Sequence, residues 1–152
     1  MSHVLRIATL MTALAAPALA EGDAANGEKV FKKCAACHAV TADAKAKAGP
    51  NLHDVVGRKS GSMPDFKYSA PMVALGAGGQ LWTPEEIALF VENPKKYLAG
   101  TKMSFAGLKK PEDRADLVAY LVSLNPTGAE PAAAVEPAPS AEPAPAVAPA
   151  TQ

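Results

Sequence analysis

An all-α fold in one small domain is what this sequence predicts, and three observations predict it. All eight aromatic residues fall between Phe31 and Tyr120, so a single core-bearing unit lies inside the 152-residue chain. Within that unit helix-start signals are clear and alternating strand patterns are weak. From Thr41 to Leu81 run many Gly, Pro, Ser and Asp residues with little periodicity, and this stretch reads as mostly loop. So much loop in so small a domain must pack on something, and a large bound group would supply it. The length excludes a large multidomain enzyme. Fifteen Lys and Arg balance fifteen Asp and Glu, which argues against a polybasic nucleic-acid binder. Two cysteines are too few for a disulfide scaffold.

Each segment has its own justification. Residues 1–20 carry one cation, Arg6, then an apolar stretch, then Ala18 and Ala20 before Glu21. That is the pattern of a cleavable secretory signal peptide. The apolar run, interrupted by Pro17, is shorter than the roughly 20 residues a membrane span needs. The folded unit then covers 21–125. Residues 23–36 read as a helix with Val30 and Phe31 on an apolar face, and Gly27, one turn before Phe31, permits close backbone approach. Thr83-Pro84-Glu85-Glu86 is a capping box with proline at the first helical position, followed by Ile87, Leu89, Phe90 and Val91. Asn93-Pro94 restarts a short helix that Gly100 ends. Pro111-Glu112-Asp113 opens a last helix with acids at its positive end, and Leu117, Tyr120, Leu121 and Leu124 recur at helical spacing. Residues 126–152 hold seven of the 14 prolines, ten alanines and no aromatic residue. Such a segment buries too little apolar surface to offset its ordering entropy, so a disordered tail leaning to polyproline II is expected.

Chemistry is concentrated at Cys34-Ala35-Ala36-Cys37-His38. C-x-x-C-H is the attachment pattern of a c-type haem: two thiols spaced to reach the two vinyl groups of one porphyrin edge, and a histidine placed to ligate the iron. Rival readings fit less well. A thioredoxin-like pair follows a strand and opens a helix, whereas these cysteines close one. A zinc site built from Cys34, Cys37, His38 and His53 would need an adjacent Cys and His on one tetrahedral metal. A structural disulfide across two residues closes too small a loop to stabilise much. His53 reads as an exposed loop histidine, and His3 leaves with the signal peptide. For a second axial ligand Met63 and Met72 sit in irregular sequence, where methionine fills packing gaps. Met103, in the turn from Gly100 to Gly107, is the favourite on spacing alone.

From Gly22 to Leu124 the chain resembles the class I cytochromes c, the group of mitochondrial cytochrome c and the bacterial cytochromes c2. CAACH at 34–38, GPNLH at 49–53, GR at 57–58, FKY at 66–68, Trp82 and ENPKKYLAGTKMSFAGLKK at 92–110 carry the resemblance. It implies the small all-α class I cytochrome c fold wrapped around one covalent haem c. Thioethers would form at Cys34 and Cys37, with His38 as proximal and Met103 as distal ligand. Pro50 would accept a hydrogen bond from the proximal imidazole, Tyr68 and Trp82 would bond a propionate, and Arg58 would offset its charge. Gly27, Phe31, Leu117 and Tyr120 would form the crossing of first and last helices. Three departures stand out. Phe90 replaces a tyrosine common in relatives, the segment from Ser69 to Leu81 is a longer loop than in mitochondrial relatives, and the tail is foreign to the family.

An iron held by nitrogen and thioether has no open position for substrate, so the resemblance implies outer-sphere electron transfer rather than an enzyme. Expected is a monomeric, diffusible periplasmic carrier between a bc1-type complex and an oxidase or photosynthetic reaction centre. A peroxide-using enzyme with displaced Met103, or a haem-based sensing module, are the competing classes. Lys33, Lys95, Lys96, Lys102, Lys109 and Lys110 flank the ligand-bearing segments and would steer acidic partners. The zero net charge conceals a division: +1 in the signal, 14 cations against 12 anions in the folded unit, and three Glu in the tail. That acidity either weakens docking or keeps the protein soluble.

Overall fold

The computed structural model describes residues 22–125, and the expected signal peptide and tail lie outside the described residues. Five helices follow in order: α1 (Ala24–Phe31), α2 (Ala70–Ala77), α3 (Pro84–Glu92), α4 (Pro94–Tyr97) and α5 (Pro111–Ser123). Among the described residues the extended pairing is one isolated antiparallel bridge, Lys59 with Leu81.

Asp23 opens α1 by accepting from the Asn26 amide at 2.7 Å, and its own amide donates to Asp116 Oδ1 at 2.7 Å. The first helix is thereby tied to the last at its first residue. A Cβ on Gly27 would stand 1.9 Å from the Asp116 carbonyl oxygen and 2.7 Å from Tyr120 Cβ, so only glycine permits this crossing. One turn on, Phe31 packs on Tyr120 with ring centroids 5.5 Å apart, beside the buried Leu117 and Leu121. The helix expected to reach residue 36 stops at Phe31. Beyond it amides turn to carbonyls three residues back, Cys34 to Phe31 at 2.7 Å and Lys33 to Val30 at 3.0 Å, and the chain tightens into successive turns.

The stretch read as loop contains α2. Its sequence, APMVALGA, is apolar on every side and so offers no helical periodicity, while Gly76 and the following glycines suggest a break. Pro71 is harmless in the first turn, where its missing N–H has no partner to lose. Tertiary contact supplies what periodicity lacked: Met72 and Gly76 are buried, and Gly76 lies directly against the Ser60 carbonyl. The supposed long loop from Ser69 to Leu81 is therefore mostly helix.

Thr83 Oγ1 accepts from the Glu86 amide at 3.2 Å and Pro84 takes the first helical position, as expected for α3. The reciprocal half of the capping box does not form, because the Glu86 side chain accepts from the Tyr97 hydroxyl instead. Ile87, Phe90 and Val91 turn inward and Leu89 outward. Asn93 caps α4, and α5 begins at Pro111 with Glu112 and Asp113 in its first turn.

Candidate functional site

Nine of the eleven residues of the buried apolar cluster face a common cavity of about 420 Å³. Helices α1 and α5 contribute Phe31, Leu117 and Leu121, α2 contributes Met72, and α3 contributes Ile87, Phe90 and Val91. Protein interiors pack as densely as organic crystals, and a space this large falls in the range of ligand pockets. The hydrophobic core is thus a shell around a site rather than a filled centre.

Cys34, Cys37, His38 and Met103 all line this cavity. Both thiols are free; Cys37 is exposed and Cys34 half-buried. Burial pushes the Cys34 thiol up from 9.0 to about 11, against a small opposing pull from Lys33. His38 Nδ1 lies 2.8 Å from the Pro50 carbonyl oxygen. A carbonyl can only accept, so Nδ1 carries the proton and Nε2 keeps its lone pair for a metal. Burial lowers the His38 pKa, outweighing the Pro50 bond that raises it, so the imidazole is neutral at pH 7, the form that ligates. Gly49 makes room for the ring: a Cβ there would stand 2.4 Å from His38 Cε1. Sequence reasoning did not single out Gly49, although its position before Pro50 was a signal.

Arg58 also lines the cavity, and its guanidinium is mostly desolvated. Nη2 donates to the Asn51 carbonyl at 2.7 Å, and Nη1 to the His53 carbonyl at 3.0 Å and to Met63 Sδ at 3.2 Å. Every one of these acceptors is neutral, and no carboxylate lies within ion-pair distance among the described residues. Asp54 acts on this half-buried cation only from beyond ion-pair distance, so an anionic ligand group beside the guanidinium would offset its desolvation. Tyr68 and Trp82 line the same cavity, and burial raises the Tyr68 phenol. The Trp82 amide donates to the Arg58 carbonyl at 2.9 Å, binding these two segments together. Apolar walls, two thiols, a neutral imidazole, a thioether and a carboxylate-seeking arginine together fit a porphyrin with propionates.

His53 is not the exposed histidine expected. Its side chain is 22% exposed, with Nδ1 3.0 Å from Asp54 Oδ2. It does not join Cys34, Cys37 and His38, and no group of three or more His, Cys, Asp or Glu able to hold a metal occurs among the described residues. Met63 is engaged with Arg58 and does not line the cavity, whereas Met72 lines it from within α2. Met103 sits half-exposed between α4 and α5, its amide donating to Thr101 Oγ1 at 3.3 Å. Lys102 Nζ donates to the carbonyls of Lys67 and Tyr68 at 3.3 and 3.4 Å, pinning the Met103 segment to the Tyr68 segment. Phe90 packs between Trp82 and Tyr97, at 5.1 and 5.4 Å between centroids, and brings no hydroxyl to the cavity.

All six flagged lysines are exposed. Lys33 and Lys102 border the cavity itself. Lys33 is partly neutralised by Asp113 at 3.0 Å, a pairing across 80 positions that local sequence does not disclose. Lys109 Nζ donates to the Glu92 carbonyl at 2.8 Å.

The family model described as Cytochrome c matches residues 24–125. Cytochrome c2 of Agrobacterium tumefaciens (strain II Chrys) is 48% identical over 102 residues, covering 67% of this chain and 92% of the relative. Cytochrome c type-1 of Ascaris suum is 51% identical over 107 residues, covering 69% of this chain and 91% of its own. A solved structure of cytochrome c2 from Rhodospirillum centenum superposes with a TM-score of 0.64 at 44% identity, covering 69% of this chain and 100% of that one.

Proposed function

This chain belongs to the cytochrome c family, electron-transfer proteins with one covalently attached haem c, and on that premise we propose that it is a periplasmic carrier serving membrane redox complexes. Its donor on this reading is a bc1-type complex, and its acceptor an oxidase or photosynthetic reaction centre. The observation that carries the reading is the apolar cavity that Cys34, Cys37, His38 and Met103 all line.

When bound, the haem iron supplies a one-electron couple. Cys34 and Cys37 would hold the group through thioethers, and His38 and Met103 would ligate its iron. Pro50 fixes the imidazole by accepting from Nδ1, leaving Nε2 to bind the metal. Apolar walls from α1, α2, α3 and α5 exclude water and keep the surroundings of low dielectric, which with a soft sulfur ligand favours the reduced state. Arg58, Tyr68 and Trp82, which line the cavity, would attend the propionates. No side chain is asked to move a proton or attack a substrate. The exposed lysines steer an acidic partner to the exposed edge and release it quickly, because such pairing is screened by salt.

The ligand assignment is tested with methionine variants of the oxidised holoprotein. Met103→Ala is expected to lose the long-wavelength sulfur-to-iron absorption band and to bind cyanide promptly, while Met63→Leu and Met72→Leu keep the band. Loss of the band in Met72→Leu with retention in Met103→Ala would overturn the assignment.

A further inference from the structure

The segment after Asn125 carries a pattern that electron transfer does not use. Residues 129–152 divide into four hexads, AEPAAA, VEPAPS, AEPAPA and VAPATQ. Proline holds the third place in all four, at Pro131, Pro137, Pro143 and Pro149, and Glu130, Glu136 and Glu142 hold the second place in three. Proline at this density favours polyproline II, which has three residues per turn. In that conformation a six-residue period would return to one edge every two turns, with the three carboxylates about 19 Å apart. No Lys or Arg follows Arg114.

We propose that this acidic stripe lies on the lysine face of its own molecule, around Lys109 and Lys110, and competes there with the acidic surface of a redox partner. The proposal rests on the docking role given above to the lysines. Reach supports it. Helix α5 has 13 residues and is about 20 Å long. Lys109 and Lys110 immediately precede it, and Lys33 meets Asp113 in its first turn. At its far end Asn125 Nδ2 donates to the Val56 carbonyl at 3.1 Å, which fixes where the tail departs. Polyproline II advances about 3.1 Å per residue, so about seven residues retrace α5. Glu130 comes too early to arrive, whereas Glu136 and Glu142 both have the length.

Charge complementarity points to the same occupant. Two of the acids near this face are engaged, Asp113 by Lys33 at 3.0 Å and Glu92 by Arg114 at 3.8 Å, while Glu112 in the first turn of α5 is exposed and makes no ion pair among the described residues. Lys95, Lys96 and Lys110 make no ion pair among the described residues. Tethering gives the tail an effective concentration that a free peptide would not reach, so weak, screenable pairs suffice to compete at low salt.

The test uses the full-length secreted holoprotein, a variant lacking 126–152, and the length-preserving triple variant Glu130→Gln/Glu136→Gln/Glu142→Gln. The reduced proteins are oxidised by hexacyanoferrate(III), an anionic probe, at ionic strengths from about 10 mM to about 0.5 M. Both variants are expected to react about threefold faster than the full chain at low salt, and equally at high salt. In parallel, a water-soluble carbodiimide is expected to join Glu136 or Glu142 to Lys109 or Lys110 within one chain, as read by peptide mass. Cross-links that instead produce dimers would make a second copy the occupant and overturn the proposal, as would cross-links confined to Glu130 or absent. If the tail-less protein reacts at a salt-dependent rate equal to the full chain's, only the tail proposal fails. A salt-independent rate in the tail-less protein removes the lysine docking role itself.

Discussion

The carboxylate of Glu86 joins two helices that the chain presents as separate. Its backbone amide is capped by Thr83, a local bond legible from a four-residue motif, while its side chain accepts from the Tyr97 hydroxyl on α4. That second bond was not legible, because a capping box predicts that the glutamate folds back on its own helix start. Burial, then the bond to Glu86, raise the Tyr97 phenol above its ordinary value of 10.0. The folded state thus holds a proton that the unfolded chain releases. Stability from this group is complete below pH 10 and is lost as pH rises above it. Tyr97→Phe is expected to cost about 1 kcal/mol at pH 7, the lower end for a bond to a charged group because the pair is half-exposed. The gap between the two proteins should narrow above pH 10 in thermal unfolding, and a gap that widened there would contradict the assignment. His53 shows the same limit. It lies in a turn, as its neighbours suggested, but it is half-buried rather than exposed, because the fold brings Arg58 onto its carbonyl and leaves its ring against Asp54.

At the scale of elements, legibility followed periodicity. Helix α5 was readable because Leu117 and Leu121 recur on one face behind a proline and two acids. Helix α2 was not, because APMVALGA is apolar throughout and its stability comes from contact with Ser60 and the cavity rather than from an amphipathic face. The α1–α5 crossing sits between these cases: Gly27 hinted at close approach, but its partner, the Asp116 carbonyl, lies far along the chain. Gly27→Ala should gain up to about 1 kcal/mol in helix propensity and lose about 3 kcal/mol as α1 is forced off α5. The expected net result is a lowered denaturant midpoint with unchanged slope. An increase in stability would show that the helices cross elsewhere.

For the molecule as a whole, the cavity dominates the energetics. Without the attached group, an apolar space of about 420 Å³, left dry at roughly 24 cal/mol per Å³, would cost on the order of 10 kcal/mol, comparable to the whole stability of a small domain. The double variant Cys34→Ala/Cys37→Ala, secreted without its covalent group, is therefore expected to lose most helical circular dichroism at 25 °C. Retention of the full helical signal would mean that the core collapses without the group. By itself, the sequence determined what depends on residues a few positions apart. It set the thiols and histidine of residues 34–38, the starts of α3, α4 and α5, and the confinement of the core to one unit, since backbone hydrogen bonds and motif spacing are local. The tertiary structure alone decided which distant segments wall the cavity, that α2 is a helix, that the hydrogen-bond acceptors of Arg58 are all neutral, and that Lys33 pairs with Asp113. Burial and ion pairing depend on where the chain returns in space, and that is set by packing around the bound group.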